Sequence, residues 1–163
     1  MFRWVKLFGN QYLGFWILGL VFFALQEIPY MVMPLFQLKN NPIMTMEESL
    51  FALDILEKVL GSLCIAVMVF IVNKNSVLFS TGTGLSRLGF VMAMIVLLFN
   101  FVGWGIYFSG NQSVMIIMLF LVVLPPMYYI FIGLWRENWT LLVIGLLFEI
   151  MHVVHIYGNL RLD

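Results

Sequence analysis

The sequence predicts an all-α integral membrane protein, a bundle of about five transmembrane helices with its N-terminus cytoplasmic and its C-terminus outside. Three observations carry that prediction. Hydrophobic residues make up 63% of the chain and charged residues 10%, with a mean hydropathy of +1.05, far outside soluble globular usage. The apolar residues fall in long runs, and 163 residues hold about five runs of roughly 20 with short connections. No sizeable extramembrane domain fits beside them, so residues 1–163 read as one transmembrane domain. The basic residues of the short flanks also sort by side: Arg3, Lys6, Lys74, Arg87 and Arg136 on one, Lys39 and Arg161 on the other. That asymmetry sets the orientation, in the cell membrane as a multi-pass protein.

The first span is expected near 12–35. Arg3 and Lys6 ahead of an apolar run resemble the start of a signal peptide, but the run continues through Gln26 and Glu27 to Phe36 without a small-x-small cleavage site. Pro29 and Pro34 are expected to kink or end it, since proline removes a helix donor and crowds the preceding turn. Thr45-Met46-Glu47-Glu48 reads as a capping box that opens a second span near 50–72. Counting back from Val72 puts Asp54 at the interface and Glu57 and Lys58 just inside it. Asn73 to Arg87 reads as a polar loop, followed by a third span near 88–108 and the turn Ser109-Gly110-Asn111-Gln112-Ser113. A fourth span near 114–134 contains Pro125-Pro126, which frees backbone carbonyls that need other partners. Trp135-Arg136-Glu137-Asn138 is short enough to make the fourth span and a fifth, near 139–158, antiparallel neighbours. No internal repeat is visible, and an odd number of spans does not divide into two transporter-like halves.

Several function classes are excluded or disfavoured by composition. Eight basic and eight acidic side chains without a basic stripe give no nucleic-acid surface. The single cysteine, Cys64, forms neither an internal disulfide nor a Cys-x-x-Cys redox pair. The twelve methionines suit adaptable packing in apolar helices better than soft-metal transport.

The informative residues are the ionisable ones at bilayer depth, which are costly there and mark functional sites. Glu149, His152 and His155 lie in the fifth span, Gln26 and Glu27 in the first, Asn100 in the third. On the expected topology they map to the outer half, with Asp54, Glu57 and Lys58 forming an entrance from the rim. The clustering predicts one outward-facing polar cavity lined by Glu27, Gln26, Asn100, Glu149, His152 and His155. Gly145, Glu149 and His152 share a helical face by their spacing, which places the carboxylate and an imidazole together.

Three chemistries can use such a set. Glu149-x-x-His152 is the ligand spacing of carboxylate-bridged metal bundles, making these two residues the candidates for a divalent metal, although no second such pair is present. Burial and mutual pairing act in opposite senses on a carboxylate and an imidazole, so Glu149 and the histidines are candidates for proton handling. The same groups could perform acid/base chemistry on a lipid-like substrate. The leading expectation is binding or translocation of a small molecule or ion. An intramembrane enzyme is the alternative, and an accessory subunit of a larger membrane complex is a third. The partners implied are membrane lipid, the small molecule or ion, and either a second copy or another membrane protein.

Overall fold

The computed structural model describes residues 2–36, 38, 41–47, 50–75, 79 and 82–162. Lys39 and Glu48, used above for orientation and capping, lie outside the described residues, as does the side chain of Arg161.

The chain opens with a hairpin instead of a helix. Strands β1 (Phe2–Phe8) and β2 (Gln11–Phe15) pair antiparallel about a turn in which Gly9 takes a positive φ of 49°. Strand β3 (Ile71–Asn73) later joins β2, giving a three-stranded antiparallel sheet in the order β1-β2-β3. This sheet departs from the all-α expectation and shortens the first span, because residues 12–15 are strand. The physical reason is the aromatic and β-branched content of the N-terminal run, which suits a pleated surface. Gly14 lets the strands close up, since a Cβ there would sit 2.2 Å from the Phe2 carbonyl oxygen and 2.6 Å from Val72 Cγ2.

Helix α1 (Ile17–Val32) follows, with Pro29 inside it and a 3₁₀ turn at Met33–Phe36 after it. The short helix α2 (Pro42–Thr45) is capped by Asn41, whose Oδ1 accepts from the Met44 amide at 3.3 Å, with Pro42 at the first turn. Thr45 thus closes a turn, donating to the Asn41 carbonyl at 3.0 Å, and does not cap the next helix. Helix α3 (Phe51–Phe70) starts after Leu50 with no side-chain cap. Helix α4 (Gly84–Phe108) begins four residues before the expected 88, capped by Thr83, whose Oγ1 accepts from the Ser86 amide at 3.1 Å. Helix α5 (Val114–Ile116), a π-helical segment (Ile117–Val122) and helix α6 (Leu124–Trp135) form one rod. Asn138 then caps helix α7 (Trp139–Leu162), its Oδ1 accepting from the Leu141 amide at 3.0 Å.

Among the described residues, four segments are long and apolar enough to cross a membrane: Ile17–Phe36, Gly84–Phe108, Val114–Trp135 and Trp139–Leu160. The chain is a multi-pass membrane protein. Helix α3 has the length of a fifth crossing but carries Asp54, Glu57 and Lys58.

Pairwise contacts fix the helix directions. Along α1 and α6, Tyr128 donates to the Phe22 carbonyl, Gln26 to the Pro125 carbonyl and Tyr30 to the Leu121 carbonyl, an antiparallel register. Helices α3 and α7 run antiparallel too, with Leu50 against Gly158 at one end, Gly61 against Phe148 in the middle and Asn138 donating to the Val67 and Ile71 carbonyls at the other. Helix α4 meets α6 so closely at Gly89 that a Cβ would lie 2.4 Å from the Trp135 backbone nitrogen. The central rod therefore touches α1, α4 and α7, and the expected antiparallel pairing of the last two helices is present.

One end of the bundle is tied to the sheet. Glu137 offers its carbonyl to Gln11 Nε2 at 2.9 Å and Asn73 Nδ2 at 3.2 Å, and its carboxylate accepts from Thr83 Oγ1 at 3.1 Å. Arg3 donates to the Lys74 carbonyl. The Arg136 guanidinium lies 4.4 Å from the Trp16 ring centroid and 5.5 Å from that of Trp135, so aromatic faces compensate part of its buried charge. Burial lowers its pKa to about 10, which leaves it protonated at neutral pH.

Candidate intramembrane binding site

The site is built by the inward stripes of α3 and α7. On α7, Leu141, Gly145, Phe148, His152, His155 and Asn159 recur at helical spacing toward the bundle, while Val143, Leu146, Leu147, Ile150 and Val154 are exposed on the opposite side. That opposite side is an exposed apolar surface. On α3 the corresponding stripe is Asp54, Glu57, Gly61, Cys64 and Met68. The antiparallel register brings Glu57 level with both histidines.

Glu57 is the centre of the polar cluster. One carboxylate oxygen contacts His155 Nδ1, and the other lies 3.1 Å from His152 Nδ1, within ion-pair distance but off the direction of a hydrogen bond. The His155 side chain is only 2% exposed, and its Nε2 meets Asn159 Nδ2 at 3.0 Å. With the amide donating to Nε2, a neutral His155 ring carries its proton on Nδ1 and gives it to Glu57. His155 is thus held at both nitrogens, whereas His152 is the looser partner.

His152 also lines an open cleft of about 190 Å³. The other walls are Gln26, Glu27 and Tyr30 from α1, Gly61 and Ile65 from α3, Pro125 and Tyr129 from α6, and Phe148 from α7. Gly61 opens this wall, because a Cβ there would press on the Phe148 ring at 3.2 Å. Gln26 donates to the Pro125 carbonyl at 3.4 Å, and among the described residues its buried Oε1 has no partner. Measured along the helices from the sheet, Gln26 and His152 lie about 15–20 Å deep. Gln26 falls at the middle of the apolar segment Ile17–Phe36, and His152 just past the middle of Trp139–Leu160.

The prolines explain the neighbouring polar contacts. The Leu121 carbonyl has no helical donor in either an α or a π turn, because residues 125 and 126 are both proline. The Tyr30 hydroxyl donates to it instead, at 3.0 Å. Phe120, whose π-turn donor would be Pro125, receives Asn100 Nδ2 at 2.9 Å. The π pattern itself is seen where the Val123 amide reaches back five residues to the Met118 carbonyl at 3.0 Å. The Leu121 carbonyl, freed by the proline pair, is therefore satisfied by a side chain of a neighbouring helix.

The sequence candidates are distributed as follows. Gln26, Glu27 and His152 line the cleft, and Glu57 and His155 form the cluster beside it. Asp54 pairs with the largely exposed Lys58 at 2.7 Å, one turn along α3 from Glu57. Asn100 serves the α4–α6 contact and is not a lining residue of the cleft. Glu149 flanks the inward stripe of α7; among the described residues its buried Oε2 has no hydrogen-bond partner. Glu149 and His152, the candidate metal ligands, are not joined by a third donor, and among the described residues no three His, Cys, Asp or Glu side chains are arranged to hold a metal ion. Tyr30, Tyr129, Phe148 and Asn159 were not singled out as site residues by the sequence. Asn159 had a signal, its one-turn spacing from His155, but it fell one residue beyond the expected end of the span.

Comparison with protein-family models, with curated proteins and with solved structures finds no match to this chain.

Proposed function

We propose that this protein binds a small molecule in the intramembrane cleft between α1, α3, α6 and α7, and couples its occupancy or passage to a proton held by His152 and Glu57. The observation that carries the reading is the cleft itself, where His152 is at once a wall residue and the near neighbour of a buried carboxylate–imidazole cluster. An imidazole so placed can exchange a proton with a bound group on one side and with a carboxylate on the other. A cluster kept only for helix packing would not need a cleft beside it.

On this reading the protein sits in the cell membrane, α3 makes a fifth crossing, and the sheet end is cytoplasmic. Supporting this, α1, α3, α4, the α5–α6 rod and α7 alternate in direction relative to the sheet. Arg3, Lys6, Lys74, Arg87 and Arg136 all belong to the sheet end. The Glu57 contacts with two imidazoles supply the partners that a charge on a crossing helix needs.

Native mass spectrometry after gentle extraction tests the binding. The expected result is a stoichiometric small molecule on the wild-type protein that is lost from a folded His152→Ala variant and from Glu57→Gln. Full retention of the ligand by both variants overturns the reading. A partner polypeptide in place of a small molecule would favour the accessory-subunit alternative.

A further inference from the structure

A second chamber adjoins the cleft and says what shape of molecule the site takes. It measures about 120 Å³ and is lined by Ile43, Met46, Ile117, Leu121, Val122, Ile156 and Leu160, together with Tyr30 and His152. Tyr30 and His152 are also walls of the cleft, so the two spaces meet across these side chains. The chamber is apolar apart from them. For scale, a cavity of about 150 Å³ lined by aliphatic and aromatic residues holds one benzene ring. The chamber is thus of the size that a single ring or a short alkyl group fills.

The cleft specifies the other end of the molecule. Among the described residues its lining includes no lysine or arginine, and beside the Tyr129 hydroxyl and the His152 ring it holds three acceptors: the Glu27 carboxylate, the Gln26 Oε1, which has no partner among the described residues, and the Tyr30 oxygen, whose proton is already committed to the Leu121 carbonyl. Gln26 is 2% exposed, so a missing donor at its Oε1 is a cost that a bound donor would remove. Aromatic side chains of Tyr30, Tyr129 and Phe148 complete the wall. A carboxylate, an amide oxygen and aromatic rings are the groups that recognise an ammonium.

Resting on the binding function proposed above, we infer that the ligand class is a small organic amine. Its cationic nitrogen lies in the cleft near Glu27 and Gln26, and its ring or short alkyl body enters the adjoining apolar chamber. Glu27 supplies the charge preference. Tyr30 and His152 stand at the junction between the two parts.

Binding of four probes to the full chain in nanodiscs tests this by calorimetry: 2-phenylethylamine, 2-phenylethanol, phenylacetate and ethylamine. The amine with the ring is expected to bind best. The alcohol, which has the same body without the charge, and ethylamine, which has the charge without the ring, are each expected to bind about tenfold more weakly. Phenylacetate is expected to show no binding. In Glu27→Gln the amine should lose its advantage over the alcohol. In Ile43→Trp, on the segment outside the long helices, it should lose its advantage over ethylamine. Equal or tighter binding of phenylacetate overturns the amine assignment, and equal binding of ethylamine and phenylethylamine overturns the role of the chamber. If none of the probes binds but a different molecule co-purifies and depends on His152, the amine class is wrong and the binding function stands. If nothing binds and nothing co-purifies, both fall.

Discussion

Glu57 takes its role from the register between two helices. The sequence places its carboxylate just inside the rim, at the entrance of a cavity. In the structure α3 and α7 run antiparallel, with Leu50 against Gly158 and Gly61 against Phe148, which sets Glu57 beside His152 and His155. The histidines, Gln26 and Glu27 were legible as a site because each interrupts an apolar run. Their pairing partner depends on the register between two helices, which no local pattern encodes. The contact makes Glu57 the residue to change. Glu57→Ala leaves the buried His155 Nδ1 without its acceptor, an expected loss of about 1–3 kcal/mol. Glu57→Gln keeps an acceptor oxygen beside His155 and should cost less than the alanine variant. Thermal unfolding in one detergent, followed by loss of helical circular dichroism, measures both. Equal stability of Glu57→Ala and wild type would mean that the carboxylate does not hold the cluster together.

At the scale of elements, proline chemistry was visible in advance and its solution was not. Two adjacent prolines must leave carbonyls without amide donors, but nothing local says that Tyr30 of α1 supplies the replacement at Leu121, or that Asn100 of α4 reaches the neighbouring Phe120 carbonyl. Asn100 accordingly belongs to the architecture of the rod and not to the cleft. The hairpin was missed for a different reason. A continuous apolar run has no period that separates strand from buried helix. The only sign was Gly9-Asn10 between two such runs, a common hairpin pair. The proline account predicts energetic coupling between α1 and α6. Tyr30→Phe should destabilise the protein by about 1 kcal/mol or more, because it strips the Leu121 carbonyl of its donor in an apolar setting. In a Pro125→Ala background the restored amide can reach that carbonyl, so the same substitution should cost less. A double-mutant cycle measures the difference. Strictly additive effects would show that the tyrosine does not replace the missing helix donor.

For the whole molecule, the membrane class followed from composition alone, while the path of the chain depends on whether α3 crosses. Four segments satisfy the requirements of length and apolarity, and α3 falls short only through charges near its far end from the sheet. The sheet ties the end of α3 to the start of α1, since β3 pairs with β2, and the Asn138 side chain fastens the start of α7 to the same end of α3. If α3 lay on one surface, this arrangement could not be kept. The N-terminal hairpin and the turn after α4 would then fall on the same side of the membrane, whereas a crossing α3 puts them on opposite sides. Single-cysteine reporters distinguish the two. Cys64 is wholly buried and is replaced by serine to give a clean background, with Lys6→Cys in β1 and Gly110→Cys in the exposed turn as the two probes. A membrane-impermeant maleimide added to intact cells should label Gly110→Cys and should reach Lys6→Cys only after permeabilisation. Labelling of both from one side would remove the fifth crossing. Labelling with the sides exchanged would keep five crossings but reverse the orientation.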